Sequence, residues 1–342
     1  MRHVNIPVFI PHLGCPNQCV FCNQRSISGV SEFQAEQVIP IIEEALSTVE
    51  AGAEVEIAFF GGSFTGIDRE LMISLLSIAH SYIEDGRVAS IRCSTRPDYI
   101  NAEIIDILKR YGVRTVELGL QSSSERVLEA SKRGHNFEAE FAACKMIVES
   151  GLKLVGQMMI GLPLSDLKSE LETARFIVSS GAVGARIYPT VVFRETELCD
   201  MTYAGVYEPL SIDAAVERSA RVLQVFLDGG VEVIRIGLQS SDNLSSPETF
   251  LAGPNHPSLG ELVIGEVYYN KICRLLLDAG ASGEDNITVL VSPGALSKAI
   301  GQRGRNRTRL LEVYRNIRFR EAENIPEYGI SLDINNGEMI CT

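Results

Sequence analysis

The chain has 342 residues, 45% hydrophobic and 22% charged, the balance of an ordinary soluble globular protein with ample length for a core. Its formal charge of −13 argues against nucleic acid spread over the whole surface, and its N-terminal apolar run, broken by Pro7 and Pro11, is too short for a membrane span or a signal peptide. Eight cysteines with no obvious pairing suit a reducing, cytoplasmic setting without disulfides, and no membrane partner is expected.

In chain order, the first predicted element is a buried strand over residues 4–11. The stretch after it, residues 14–24 (GCPNQCVFCNQ), places Cys15, Cys19 and Cys22 within eight positions. Thiolates spaced CxxxCxxC on one loop can converge on a soft metal centre. A tetrahedral zinc site or a four-thiolate cluster would want a fourth ligand nearby, and the cysteines at 93, 144, 199, 273 and 341 are all remote in sequence. Three thiolates on a [4Fe–4S] cluster instead leave one iron open to a small ligand. A zinc knuckle is the competing reading. His12, beside the loop, and His135 are acid/base candidates, each equally able to be structural.

A helix over 34–49 follows, with Val38, Ile41, Ile42, Ala45 and Leu46 on one face. Apolar strand, loop and amphipathic helix then alternate. The strands are predicted at 54–60, 90–94, 115–120, 152–160 and 184–192, the helices at 68–83, 102–111, 124–131, 137–150 and 167–180. Six strands alternating with helices imply a parallel sheet with right-handed crossovers and chemistry at the strand C-termini: an α/β fold, an open (β/α)6 partial barrel. Gly61-Gly62-Ser63-Phe64-Thr65-Gly66 closes the second strand, where glycines let a ligand approach the backbone. A strand over 231–238 ends in GLQS, echoing residues 119–122, but the flanks do not match and no duplication is expected.

Residues 241–260 read as a long Ser/Asn/Pro/Gly loop, 261–279 as a helix and 280–285 as a break. The predicted units are therefore a barrel with extension over 1–240, a connection over 241–283 and a small α+β domain over 284–342. In that last unit a strand (287–292), a helix (295–300), Gly301-Gln302-Arg303-Gly304, a helix (305–316) and an edge strand (317–321) follow one another. A hairpin joins 328–334 to 339–341 through Asn335-Asn336-Gly337. Between Lys298 and Arg320 stand eight basic residues and one acid, a local +7 on a chain whose remainder carries −20. Such a stripe can bind phosphates locally, because fields are screened within about 8 Å at physiological salt.

The cysteine spacing and the glycine segment one strand later closely resemble the signature of the radical S-adenosylmethionine (SAM) superfamily. The resemblance implies that Cys15, Cys19 and Cys22 hold a [4Fe–4S] cluster whose open iron chelates the amino and carboxylate groups of SAM. Gly61, Gly62, Ser63 and Phe64 would hold the methionine ammonium. A reductant such as flavodoxin or ferredoxin would supply the electron for reductive SAM cleavage. A closer resemblance is to the catalytic subunit of the elongator complex, through GGSF at 61–64, TRPDY at 95–99, VELGLQS at 116–122, RGH at 133–135 and RIYPT at 186–190. It thins after about residue 200. By similarity to the oxygen-independent coproporphyrinogen oxidases, Phe21 would pack by the adenine, and Ser94, Gln121, Arg133 and Gln157 would contact the SAM ribose or carboxylate. Ser94 replaces a glutamate of the elongator family and Gln157 an acid common in the oxidases, which weakens ribose contacts.

Strand, helix, GxxG, helix, strand is similar to the core of a KH domain. The resemblance implies that RNA docks its backbone on the GxxG loop through Lys298, Gly301, Gln302, Arg303, Gly304, Arg305, Arg307 and Arg309. The expected function is a radical SAM enzyme that modifies a tRNA or rRNA base, with no DNA partner. The elongator subunit's acetyltransferase-like domain is not represented in this sequence, so carboxymethylation of a wobble uridine is not carried over. Methylation, another carbon insertion or action with a partner protein stays open, and Cys341 is similar in place to a methyl-carrying cysteine of related RNA methyltransferases. The alternatives are a small-molecule enzyme related to the coproporphyrinogen oxidases, and a non-enzymatic iron–sulfur RNA-binding protein.

Overall fold

The computed structural model describes residues 3–10, 14–15, 19–22, 33–50, 52–238, 246–335 and 339–341, the last three as backbone. His12, residues 239–245, the turn residues 336 and 337 and the Cys341 side chain lie outside the described residues.

Seven strands form one sheet in strict sequential order: β1 (His3–Ile10), β2 (Glu54–Gly61), β3 (Ser90–Thr95), β4 (Val113–Gln121), β5 (Lys153–Ile160), β6 (Gly184–Pro189) and β8 (Glu232–Ile236). All neighbours are parallel, so all C-terminal ends share one rim of an open half-barrel. Alternation sorts the two faces. On β2, Val55, Ile57 and Phe59 are buried in the apolar core under the helices, whereas Glu56 belongs to a polar set on the other face.

The crossover helices are α1 (Val38–Thr48), α2 (Arg69–Glu84), α3 (Ala102–Arg110), α4 (Glu125–Ala130), α5 (Phe137–Glu149) and α6 (Leu167–Ser179). Several begin on side-chain caps. Asp68 accepts from the Glu70 and Leu71 amides, Asn101 from Ile104, Asn136 from Ala139 and Asp166 from Ser169, each cap being worth about 1 kcal/mol. The helices bury apolar faces against the sheet, α2 through Met72, Leu75, Leu76 and Ala79.

The structure departs from the sequence expectation after residue 184. The predicted strand over 184–192 stops at Pro189, and the short β7 (Val192–Phe193) pairs instead with β9 (Phe250–Ala252) in a separate antiparallel ribbon. Two helices unassigned from the sequence follow, α7 (Glu197–Tyr203) and α8 (Ile212–Asp228). α8 carries its own signals, a Ser211 cap on the Ala214 amide and a buried face of Ala215, Val216, Ala220, Leu223 and Phe226. It lets β8 return as the seventh strand beside β6.

The long helix α9 (Leu259–Asp278) is shared rather than a tether. Its first half, at Leu259, Val263 and Val267, belongs to the barrel core, and its second half, at Tyr268, Ile272, Leu275 and Leu276, to the core of the small C-terminal domain. That domain contains β10 (Asn286–Val291), α10 (Leu296–Ile300), α11 (Arg305–Leu311), β11 (Asn316–Glu321), β12 (Ile330–Ile334) and β13 (Met339–Cys341), with sheet order β11-β10-β12-β13. The helix predicted to reach 316 ends at Leu311, because Asn316 already pairs with Asn286 as the parallel β11 begins. Among the described residues no helix is long and apolar enough to cross a membrane.

Candidate active site at the barrel mouth

β1 and β2 end together, and the loops that follow them touch backbone to backbone. A Cβ on Gly61 (φ 122°) would stand 2.0 Å from the Ile10 carbonyl oxygen, and one on Gly14 would stand 2.1 Å from that of Ser63. Only glycine permits this approach, which packs the cysteine loop onto the GGSFTG segment. Within that segment the side chains turn inward. Ser63 bonds Thr95 at 2.8 Å, and Phe64 stacks on Phe59 with ring centroids 4.7 Å apart. Ser63 and Phe64 can therefore offer a ligand chiefly their backbone.

Cys19 is buried, and Cys15 and Cys22 are half-buried. The turn that carries them is stitched into the protein. The Val20 amide donates to Ser131 O (3.2 Å), the Leu198 amide to Val20 O (2.8 Å) and the Cys22 amide to Cys19 O (3.0 Å). Phe21 packs on the small cluster of Val20, Val192, Leu198 and Cys199. Burial pushes the Cys15 thiol up, opposed by the positive charges of Arg133 and Arg96 and by the Ser63 backbone. Arg133 Nη1 lies 3.5 Å from Cys19 Sγ.

Two motifs distant in sequence lock together here. Arg96 makes a bidentate pair with Asp98 (2.9 and 2.9 Å), and its Nη2 also donates to the Arg133 carbonyl (2.7 Å). Asp98 lies 3.7 Å from His135 Nδ1, and His135 Nε2 lies 2.9 Å from Glu140 Oε1. Burial opposes ionisation of Asp98, yet His135 and Arg96 outweigh it and hold the carboxyl below the usual carboxylate range. The His135 side chain is fully buried, so its place is structural support beneath the site and not the mouth.

Glu140 is the counterpart: burial pushes it up to about 7, and His135 only partly offsets this. A carboxyl with a raised folded-state pKa contributes stability that is fully present below the unfolded value near 4.5 and lost as the pH rises to about 7. Over that window the stability of the wild type should fall relative to that of Glu140→Gln, which stays neutral. Thermal melts of both proteins at several pH values check this, and a pH-independent difference would refute it.

On the polar face of the sheet, Glu117 is fully buried and accepts from Arg92 Nη1 (2.9 Å), Arg186 Nε (2.8 Å) and Gln157 Nε2 (2.9 Å). Gln157 also reaches Ser94 Oγ at 3.4 Å. Thus Ser94 and Gln157 lie together, tied to a carboxylate supplied by neither. Gln121, the last residue of β4, has φ 73°, a left-handed conformation uncommon for a side-chain-bearing residue, and its buried Oε1 has no partner among the described residues.

The C-terminal loop is 301–304. Gly301 (φ 80°), Arg303 (φ 53°) and Gly304 (φ 77°) are all left-handed, and the loop is anchored by buried Asn306, whose Nδ2 donates to Gly265 O (2.7 Å) and Ala299 O (3.1 Å). The basic residues divide. Arg309 pairs with Glu266 (2.6 Å) and lies over the Tyr269 ring, and Arg305 pairs with Asp213 of α8 (2.9 Å). Lys298 lies 4.0 Å from Glu327. Arg303 and Arg307 are exposed and carry no ion pair among the described residues.

The residues of the mouth fit the cluster and SAM implied by the cysteine motif. Three thiols share one loop, two guanidinium groups stand near them, and the buried Gln121 Oε1 and Arg133 Nε lack partners among the described residues. Among the described residues no three His, Cys, Asp or Glu side chains already converge as a metal site. Arg96, Asp98, Glu117 and Arg186 were not singled out from the sequence, although they lie inside the TRPDY, VELG and RIYPT motifs.

Two family models match the chain, the Radical SAM superfamily over residues 9–177 and the Radical_SAM C-terminal domain over residues 182–269. An uncharacterised protein of Methanocaldococcus jannaschii is 28% identical over 288 residues, covering 80% of this chain and 84% of that protein. The tRNA uridine(34) acetyltransferase of the same organism is 29% identical over 184 residues, 48% of this chain. The chain spans only 34% of that acetyltransferase's length. Among solved structures, that of the archaeal Methanocaldococcus infernus Elp3 with an N-terminal deletion superposes with a TM-score of 0.61 at 22% identity, over 79% of this chain and 67% of that one, a likeness of fold.

Proposed function

Because the chain belongs to the radical SAM superfamily, whose members use a [4Fe–4S] cluster and SAM, we propose that it modifies an RNA base, in tRNA or rRNA. Cys15, Cys19 and Cys22 would hold the cluster, with the backbone of residues 61–64 and the side chains of Gln121, Ser94 and Gln157 around SAM. When bound, this pair supplies a strongly oxidising carbon radical by reductive cleavage of SAM. The protein's own residues orient SAM at the rim, keep water from the buried Cys19, and present RNA through the C-terminal domain. A relative similar to this chain over 184 residues is named for action on tRNA uridine 34.

The observation that carries the RNA reading is the loop 301–304. It projects exposed Arg303 beside glycines, with exposed Arg307 on the first turn of α11, while Asn306 and Arg309 fasten it to α9 and hence to the barrel core. The β-α-GxxG-α-β order supports a KH-like reading of this domain, on which a nucleic-acid backbone would run along the glycine loop. Arg309 is tied down against Glu266, whereas Arg303 and Arg307, at the glycine loop and exposed without an ion pair among the described residues, are the foremost candidate phosphate contacts.

The test is filter binding of total tRNA to anaerobically purified protein across a salt series. Wild-type affinity should fall steeply with salt, and Arg303→Glu with Arg307→Glu should lower the slope of log K against log[salt] by about 1–2, the scale of two lost phosphate contacts. Absence of salt-sensitive binding would remove the RNA reading. Nucleoside mass spectrometry of RNA from a deletion strain would then name the base.

A further inference from the structure

We propose that Arg133 tunes the iron–sulfur cluster: its guanidinium, held against Cys19, raises the midpoint potential of the cluster that Cys15, Cys19 and Cys22 would bind. The inference rests on the reading of those three cysteines as cluster ligands.

The geometry is specific. Arg133 Nη1 stands 3.5 Å from Cys19 Sγ, and Nη2 donates to the Gly119 carbonyl at 2.6 Å, so both ends of the fork are placed. The backbone is held as firmly, its amide on Leu128 O (2.9 Å) and its carbonyl accepting from Arg96 Nη2 (2.7 Å). The residue is 6% exposed, so little water screens the charge. Room for the guanidinium depends on Gly119, where a Cβ would lie 2.9 Å from Nη2. No carboxylate pairs with Arg133 among the described residues. Its partners are a sulfur and a carbonyl.

Adding an electron makes a cluster more negative. A fixed cation that hydrogen-bonds a ligand sulfur stabilises the reduced state more than the oxidised one, and hydrogen bonds to sulfur are an established lever on cluster potential. The similarity to the coproporphyrinogen oxidases implies a different role for this arginine, pairing with the SAM carboxylate. The two roles separate in the absence of SAM, since a residue that acts only on SAM leaves the SAM-free potential untouched.

The experiment is an EPR-monitored redox titration, without SAM, of the anaerobically reconstituted full chain as wild type, Arg133→Gln, Arg133→Lys and Gly119→Ala. Arg133→Gln should lower the midpoint by the equivalent of a tenfold loss of reduced cluster at fixed poise, about 59 mV for one electron. Arg133→Lys, which keeps the charge, should recover part of the shift. Gly119→Ala meets side-chain ends, Arg133 Nη2 at 2.9 Å and Gln121 Nε2 at 3.1 Å, and backbone no nearer than Thr95 O at 3.7 Å, so it should fold, displace the guanidinium and shift the midpoint in the same direction. A wild-type midpoint in Arg133→Gln at full iron content overturns the proposal, and weakened SAM binding in that variant would assign the arginine to the carboxylate. If Arg133→Gln holds no iron, an unshifted Gly119→Ala overturns it equally. A wild-type chain that takes up no cluster would instead sink the proposed function itself.

Discussion

Cys19→Ala should fold, take up no iron–sulfur cluster and form no 5′-deoxyadenosine from SAM and dithionite. Cys19 is 5% exposed, faces Arg133 Nη1 at 3.5 Å and sits in a turn where the Val20 amide donates to Ser131 O and the Val20 carbonyl accepts from the Leu198 amide, so the backbone does not need the sulfur to hold its course. Losing one buried atom of this size costs about 1 kcal/mol of stability, a small part of a domain's total. Cys93 and Cys144 are poor substitutes as cluster ligands: both are core residues whose thiols burial pushes up, Cys144 to about 12, with the carboxylates Glu117 and Glu140 adding in the same direction. Cys93→Ala and Cys144→Ala are therefore the controls that should keep cluster and product. Iron and sulfide content, cluster absorbance and chromatographic detection of 5′-deoxyadenosine measure the outcome. Wild-type iron and product in Cys19→Ala would contradict the assignment.

Much of this site could be read from the sequence because its parts are local. CxxxCxxC, GGSF and GQRG are each a few residues long, and their spacing alone brings thiols or glycines together. What escaped is built from residues far apart. Glu56, Arg92, Glu117 and Arg186 span 131 positions in the chain yet join through hydrogen bonds across five neighbouring strands, because each falls on the polar side of the β alternation. No local pattern announces that an Arg in one strand meets a Glu in the next. His135 is the converse case: a histidine beside a motif could be catalytic or structural, and it is its neighbours Glu140 and Asp98, the latter distant in sequence, that close over its side chain. Arg309 is a similar case. Sequence clustering groups it with the phosphate-facing arginines, and only the fold reveals Glu266 beneath it.

The division of the chain into barrel and appendage has the same character. Composition marks the loop after residue 240 and the break near 280, and it suggests a tether between them. The helix between those breaks is apolar on more than one side, because its two halves serve two cores. A helix that is buried at both ends transmits position. Asn306 bonds the Gly265 carbonyl, and Arg305 reaches Asp213 on α8, so the GQRG loop is set relative to the half-barrel by contacts to two of its helices. This fixed relation is what a substrate docked at one end and modified at the other requires.

Glu117→Gln should destabilise the protein by about 3–5 kcal/mol, the cost of breaking a buried ion pair by removing one partner. The carboxylate is fully buried and accepts four hydrogen bonds, from Arg92 Nη1 at 2.9 Å, Arg186 Nε and Nη2 at 2.8 and 3.1 Å, and Gln157 Nε2 at 2.9 Å. Arg92 keeps a second partner in Glu56 (2.6 Å), but Arg186 has no other carboxylate within salt-bridge distance among the described residues. The penalty therefore arises mainly from the uncompensated Arg186, and it predicts non-additivity. Glu117→Gln with Arg186→Met should be less destabilised than Glu117→Gln alone, since the second change removes the stranded charge. Denaturant unfolding of the two single variants and the double variant gives the coupling directly. A Glu117→Gln loss below about 1 kcal/mol, or simple additivity, would refute the account. The consequence for the site follows from position. Gln157 and Ser94 are held together by this carboxylate, and Arg186 lies 5.6 Å from the Phe60 ring next to Gly61, so its loss should weaken SAM binding even in protein that remains folded. Rescue of stability by Arg186→Met without rescue of SAM affinity would show that Glu117 orders the mouth as well as balancing charge beneath it.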